Sequence, residues 1–461
     1  MLLPPTHPLP LLCGLALLLS TACNTPQEPA AYDRQALAQK MEYALTAELL
    51  DKWYPAVVDK DSGGYFSNFS ADWERIPQQE KMIVTQGRHM WTAAKAAAFF
   101  PETAHFRSAT EHGLPFMQQA MWDSVHGGFF TLVSRQGRAI NPSDPPGDKV
   151  SYGNAFGIYG LAAHHALTGS PASLELAQQA FRWLDAHAHD PIHGGYFQHL
   201  TRDGRVYGRD LQAAPEATLT QRLGLKDQNS SIHLLEAFTE LYQVWPDSLL
   251  GERLGEMLYL IRDVITQNPG YLQLFLSPDW KPYSFRDSTE EVRKAHYGWD
   301  HVSFGHDVET AFLMLEASEV LGKKEYERTL QAGKRMVDHS LGYGFDHEHG
   351  GFFERGYYYA NEDTLRIIDE RKNWWTQAEG LNALLLFSQL FPEDKKYETA
   401  FLKQWDYIDK QLIDHERGGW YAFGIDESPQ AKEGRKGHIW KSAYHNGRSL
   451  MHCIRMLKNE H

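Results

Sequence analysis

The stretch DSVHGGFF, Asp123 to Phe130, decides the fold, because versions of it return along the chain. Alone it is ambiguous. An Asp and a His three positions apart could hold a cation, whereas Gly-Gly ahead of aromatic residues marks a chain reversal. Copies stand as DSGGYF at Asp61, DPIHGGYF at Asp190, DHEHGGFF at Asp346 and DHERGGWY at Asp414, with first glycines at 63, 127, 194, 350 and 418. The interval from 194 to 350 is about twice the others, and NPGYLQLF, Asn268 to Phe275, sits near its middle as a degenerate copy. Six copies at a period of roughly 70 residues identify a repeat architecture. Six equivalent loops are what a repeat produces, and six equivalent metal sites are not. Asp123 and His126 are therefore read as turn-stabilising or rim residues.

The segments between the copies carry helical periodicity. An amphipathic segment runs into each loop: Asp33 to Val57, Ala104 to Trp122, Pro171 to His187, Ser248 to Thr266, Lys324 to Ser340 and Lys395 to Ile413. After each loop comes a second segment, richer in small and aromatic residues: Arg88 to Phe99, Ser151 to Leu167, Ser230 to Val244, Phe304 to Leu321, Trp374 to Phe387 and Trp440 to Leu457. No run of alternating strands supports a parallel sheet. Six helical hairpins bury their apolar faces either as an open solenoid or as a closed ring. The low charge of the second segments suits an inner ring. The expected fold is all-α, a single (α/α)6 barrel of six inner and six outer helices over residues 33–461.

The 461 residues carry a net charge of −14 with 42% hydrophobic and 13% aromatic residues, an acidic globular composition that argues against nucleic acid as a partner. Thirteen Trp and 22 Tyr fit stacking on sugar rings and fit a large helical core equally well. At the N-terminus the apolar run Leu9 to Leu19 is too short to span a bilayer and is followed by Ser-Thr-Ala-Cys23. This resembles a bacterial lipobox. Residues 1–22 are expected to be a lipoprotein-type signal peptide, Cys23 a lipidation site and residues 23–32 a polar tether. The chain would then be exported and anchored to the cell envelope by lipid alone. Only Cys453 would remain beside Cys23, so no disulfide framework can form. A monomer is expected.

The chemically suggestive residues cluster at the starts of the expected inner helices: Arg88 and Trp91 in QGRHMWT, Tyr152 and Asn154 in SYGNAFG, His233 and Glu236 in SIHLLEA, His306 and Glu309 in FGHDVET, Trp374, Trp375, Gln377 and Glu379 in NWWTQAEG, and Trp440, His445 and Arg448 in IWKSAYHNGRS. Inner helices that enter a ring from the same end bring these first turns to one mouth. His233/Glu236 and His306/Glu309 share an H-x-x-E spacing that puts each His one turn before a carboxylate, where the acid can orient the imidazole. A lone helical His is ordinarily a core residue; three at equivalent places in three repeats point to function. His and Glu at helical spacing also bind zinc or di-iron, but those centres use Glu-x-x-His on facing helices, the reverse order. No metal or other cofactor is therefore expected. In NWWTQAEG one tryptophan packs the barrel and the other is free to line a cavity. Arg88 and Arg448 lie in apolar helices, where an unpaired cation is costly, so each calls for a polar or anionic partner such as a substrate oxygen.

NSSIHLLEAFTELY, SFGHDVETAFLMLEA, NWWTQAEG, WKSAYHNGR and GDKVSYGNAFGIYGLA resemble characteristic segments of the N-acylglucosamine 2-epimerase superfamily, and within it the cellobiose 2-epimerases. The resemblance runs from about Tyr43 to Leu457 and implies an (α/α)6 barrel. It implies further that His306 and His445 are the acid/base pair at the substrate's C2, with His233 a third essential histidine. Arg88 would hold the enediolate oxygen, Glu236 and Glu309 would support the histidines, and Tyr152, Trp374 and Trp440 would line the sugar subsites. Asn154 stands where that group has Gln, and Ser442-Ala443 where it has Cys-Pro.

The expected activity is inversion of C2 of the reducing-end sugar of cellobiose or β-1,4-mannobiose through an enediolate. The same enediolate protonated at C1 gives a ketose, so an aldose-ketose isomerase shares every residue named, as does an N-acylglucosamine 2-epimerase. A glycoside hydrolase would need two opposed carboxylates, for which Glu309 and Glu379 are the candidates. A non-catalytic carbohydrate-binding lipoprotein would need the aromatic residues but not the repeated His/Glu pairs.

Overall fold

The computed structural model describes residues 32–140, 147–212, 218–359 and 364–460; the expected signal peptide, Cys23 and nearly all of the tether lie outside the described residues. Arg34–His461 forms one compact unit. Its twelve principal helices are α1 Arg34–Leu45, α2 Ile83–Phe99, α3 Ala104–Phe116, α4 Ser151–Thr168, α5 Pro171–His187, α6 Gln228–Val244, α7 Ser248–Leu260, α8 Phe304–Val320, α9 Tyr326–Tyr343, α10 Trp374–Leu390, α11 Lys395–Tyr407 and α12 Tyr444–Lys458. The even-numbered helices pack side by side in chain order, and α12 packs against α2 to close the ring. Each later odd-numbered helix packs on the inner helix before it, and α1 packs on α12. This is the (α/α)6 barrel.

Sequence explains which helix goes where. Outer helix α5 buries Leu176, Ala177, Ala180, Phe181, Trp183 and Leu184, one apolar stripe at helical spacing, and Pro171 stands at its first turn, where a missing N–H costs nothing. Inner helices are covered on every side, as in α2, where Ile83 through Ala94 are buried without a break. Small residues let them approach: a Cβ added at Gly87 would lie 2.2 Å from the carbonyl oxygen of Phe156, so α2 and α4 could not meet as they do with any larger residue there. Four outer segments end in one π-helical turn, at Thr46–Leu50, Met117–Met121, Ile261–Ile265 and Ile408–Leu412, before the chain reverses.

The reversal is the repeated motif. In DSVHGGFF the Asp123 carboxylate accepts the backbone N–H groups of Val125 and His126 at 3.0 and 3.3 Å, while Gly127 and Gly128 both take φ +71° with Trp183 packed where side chains would stand. The other Asp123 oxygen meets buried Lys149 at 3.2 Å and Arg202 at 2.8 Å. Buried lysines clamp the matching loops in the same way: Lys81 to Asp59, Lys226 to Asp190, Lys372 to Asp346 and Lys436 to Asp414. In the first copy the clamped acid is thus Asp59, four residues before the first glycine, and not Asp61, which lies on the outside against Arg135. The degenerate fourth copy has a lone Gly270 and no such acid.

A short strand before each inner helix pairs with a strand just beyond the next loop: Lys81–Met82 with Leu132–Val133, Lys149–Val150 with His199–Leu200, Lys226–Asp227 with Phe275–Leu276, and Val302–Ser303 with Arg355–Gly356. Asn373 bridges Phe423, and Phe69 bridges Gly437. The last bridge joins the sixth repeat to the first, so one rim is stitched around the whole ring. Between inner and following outer helices the chain turns tightly, as from Phe99 to Ala104. Two inner-helix starts differ most from the sequence reading. α2 begins at Ile83, because the apolar Ile-Val pair continues the buried face, and α12 begins at Tyr444, leaving Trp440 on the preceding loop.

Candidate active site

At the stitched rim lies a cavity of about 200 Å³ lined by Arg88, Tyr152, Asn229, His233, His306, Glu309, Trp374, Trp375, Trp440 and His445. These residues come from the first turns of all six inner helices or, for Trp440, from the loop before the last. Arg88 and Glu309 are buried, His306 and Trp375 half-exposed to the cavity, and Trp440 is 45% exposed at its mouth.

The three histidines sit in three environments. His233 Nδ1 lies 2.8 Å from Glu236 Oε2, the pairing that the H-x-x-E spacing anticipates. His445 Nδ1 lies 2.6 Å from Glu379 Oε1 and 3.9 Å from Glu309 Oε1. His306 Nδ1 meets the Ser303 hydroxyl at 2.8 Å; Glu309, one turn on, turns instead toward α12. The same spacing thus gives different partners in the two copies: both carboxylates accept from Arg448, but Glu236 also keeps its histidine, whereas His306 turns to Ser303. The Trp375 ring is shared by two of the histidines, with its centroid 4.7 Å from that of His306 and 5.7 Å from that of His445.

Arg448 is the hub behind the cavity. It is 1% exposed. Its Nη1 donates to Glu236 and, at 2.5 Å, to the Tyr444 hydroxyl; its Nη2 donates to Glu309 and, at 2.8 Å, to Glu379. Tyr444 also donates to Glu236. Arg88 lies apart from this cluster: Nη2 donates to the Tyr152 hydroxyl at 3.0 Å, Nη1 to the Trp440 carbonyl at 3.1 Å, and the guanidinium stacks 4.5 Å over Phe156. Its Nε is buried with no protein partner.

Desolvation in the enclosed cavity, joined by the nearby Arg88 guanidinium, pushes His306 down to about 3. Burial and the nearby arginines likewise carry His445 well below the usual imidazole range. Both rings are therefore neutral near pH 7 and free to accept a proton. Glu236 is held down at about 2 by Arg448 and His233 against the cost of its burial. Burial, with Glu309 and Glu236 close by, moves Glu379 well up.

Nine of the fifteen candidate residues line the cavity; Trp91 lies toward the far end, its Nε1 donating to Glu240 at 3.3 Å. Glu236, Glu379 and Arg448 stand one layer behind, and Asn154 stands elsewhere: its Oδ1 accepts the Phe129 N–H at 2.8 Å and its Nδ2 donates to the Val150 carbonyl at 3.0 Å. Gln86 and Gln377 clasp Tyr65 and Phe352 identically, so this position fastens loop to helix. Asn229, Ser303 and Tyr444 were not singled out. Asn229 and Ser303 each lie within four residues of a candidate histidine, and their polarity on an otherwise apolar first turn was the available signal. Glu309, Glu379 and His445 offer three ligand atoms within 4.8 Å of one another, but a cation there would lie against the Arg448 guanidinium, which already supplies positive charge to both carboxylates.

Residues 64–446 match the family model of N-acylglucosamine 2-epimerase (GlcNAc 2-epimerase). The chain is 26% identical to cellobiose 2-epimerase of Bacteroides fragilis over 92% of this chain and 99% of that one. It is 25% identical to D-mannose isomerase of Thermobifida fusca over 73% of this chain and 77% of that one. Among solved structures, cellobiose 2-epimerase from Spirochaeta thermophila superposes with a TM-score of 0.77 at 26% identity, covering 92% of this chain and 98% of that one. With its six-fold ring and rim cavity, the chain belongs to the N-acylglucosamine 2-epimerase family and is a carbohydrate isomerase.

Proposed function

We propose that this chain inverts C2 of the reducing-end sugar of a β-1,4-linked disaccharide, cellobiose or mannobiose, through an enediolate. The carrying observation is one cavity into which all six inner helices deliver polar or aromatic groups, with two neutral histidines in ring contact with one indole and a buried arginine over the Phe156 and Tyr444 rings. Once the ring is open, C2–H is acidified by the C1 carbonyl. One imidazole takes that proton, the C2–H electron pair forms the C1–C2 enediolate, and the other histidine returns a proton to the opposite face of C2. Arg88 is suited to the developing negative oxygen, because its donors are fixed in advance in a site of low dielectric. Tyr152, Trp374, Trp375 and Trp440 supply flat faces for the sugars.

Ketose formation competes from the same enediolate, and the likeness to a D-mannose isomerase supports it as the second reading. A hydrolase is poorly supported: Glu309 and Glu379 both sit on one guanidinium nitrogen, whereas hydrolysis needs carboxylates on opposite sides of a scissile bond. Incubation of the purified barrel with cellobiose, mannobiose, mannose and N-acetylglucosamine, followed by product chromatography, tests the assignment. A 2-epimeric disaccharide with little ketose supports it; fructose from mannose as the dominant product replaces it with the isomerase. We further propose export and lipid anchoring at Cys23; a Cys23→Ser chain that stays in the membrane fraction would overturn that part.

A further inference from the structure

The cluster behind the cavity holds more negative charge than its cation balances. Glu236, Glu309 and Glu379 come from α6, α8 and α10, are at most 4% exposed, and all converge on the single Arg448 guanidinium. Three carboxylates against one guanidinium leave two uncompensated charges out of water, and a buried site relieves such an excess by keeping a proton. Glu236 is the wrong place for it, since Glu236 accepts from Arg448 and Tyr444 and lies against His233. Glu309 and Glu379 share Nη2, and the second oxygen of each is buried with no donor among the described residues. Of these two, only Glu379 lies within hydrogen-bond distance of an imidazole nitrogen, at 2.6 Å.

We propose that Glu379 rests as a carboxylic acid whose proton is donated to His445 Nδ1, and that Arg448 is a positioning residue which fixes this arrangement and does not bind sugar. His445 is then a neutral imidazole carrying its own proton on Nε2. When Nε2–H passes its proton to C2 of the enediolate, Nδ1 takes the proton of Glu379, the carboxyl becomes a carboxylate held by Arg448, and the ring stays neutral throughout. The proton first removed from C2 rests on His306 and leaves through the cavity mouth; a proton from the cavity then restores His445 Nε2–H as Nδ1 returns its proton to Glu379, which regenerates the resting pair. His445 can thereby act as an acid in a site that strongly disfavours imidazolium. The groups facing the pair are Arg88 of α2, His233 and Glu236 of α6, His306 and Glu309 of α8, and Tyr444, Arg448 and the buried Cys453 of α12. This role rests on the proposed C2 chemistry, but the resting proton does not.

Difference infrared spectroscopy of the full barrel, wild type minus Glu379→Gln, tests the proton directly at pH 7. A carbonyl stretch of a protonated carboxylic acid in wild type, absent in the variant, is expected. Its absence from wild type overturns the proposal whatever the enzyme turns over. In kinetics Glu379→Gln should lower kcat by about 100-fold with KM changed less than about threefold. Arg448→Lys, which keeps one positive charge, should retain the infrared band and more activity than Arg448→Met. A tenfold rise in KM with kcat intact in Arg448→Lys would instead make Arg448 a sugar ligand. If Glu379→Gln fails to fold, Glu379→Asp serves: the band should persist, shifted, while its disappearance or an unmoved band would place the proton elsewhere.

Discussion

The two ends of the barrel differ in a way that cavity size alone would misjudge. The larger apolar cavity, about 300 Å³, is at the far end, where the inner helices finish, lined by Phe312, Leu315, Leu386, Leu390, His452 and Met456 among others. The smaller one, at the stitched rim, holds three histidines, two of them hydrogen-bonded to carboxylates. The difference lies in the connections. Far-end turns are tight, whereas the rim carries the Gly-Gly loops, their Lys–Asp clamps and the short strands that tie neighbouring repeats together. Long loops on a rigid ring can present chemistry, and helix first turns below them are held to within the tolerance that proton transfer needs.

This contrast can be broken most sharply at His306 and His445. Asn at either position should reduce turnover by at least about 10³-fold without lowering the melting temperature by more than a few degrees; a tenfold effect, measured by the rate of C2 inversion, would deny the rim its role. Arg88→Met comes next, with a loss of about 10²-fold in kcat, the scale of one preorganised donor to a developing oxyanion. For the rim's architecture, Lys149→Met leaves Asp123 buried beside only Arg202 and should cost about 3 kcal/mol in denaturant unfolding. A change under 0.5 kcal/mol would make the clamps ornamental.

Acid should weaken the protein before it abolishes the chemistry. His89 and His306 sit at about 3 through burial, below the unfolded value near 6.5. The unfolded chain therefore binds more protons between those limits, and stability falls as pH drops below 6.5. His89→Gln should recover about 2 kcal/mol of the loss between pH 7 and 5, read from urea midpoints. The smallest effect belongs to the far end: Glu316→Gln, at an exposed carboxyl that lines the far-end space, should leave kcat within about twofold.

The fold was legible because its period is printed in glycine. Gly127 and Gly128 both need positive φ beneath Trp183, so the dipeptide cannot drift, and counting it counts the repeats. What it could not supply is which acid the loop uses. Asp59 and Asp61 both precede Gly63, and only the buried Lys81 distinguishes them. The site was legible to the same depth. Residues on helix first turns were found because polarity there is conspicuous, and His233 with Glu236 pair as their spacing requires. That Arg448 needs an anionic partner was legible, but that the partners are three carboxylates was not, a choice made by helices α6, α8 and α10 that share no local sequence with it. Asn154 shows the converse: a polar residue on a first turn whose amide is spent on a loop backbone.

The central claim, proton exchange at C2 by histidines of the rim, is tested most directly by turning over cellobiose in deuterated water, with and without chelator, and locating the label by NMR. The account predicts a 2-epimeric disaccharide carrying one deuterium at C2, formed at the same rate with chelator present. Release of monosaccharide, an epimer without deuterium, or loss of turnover on adding chelator would contradict it.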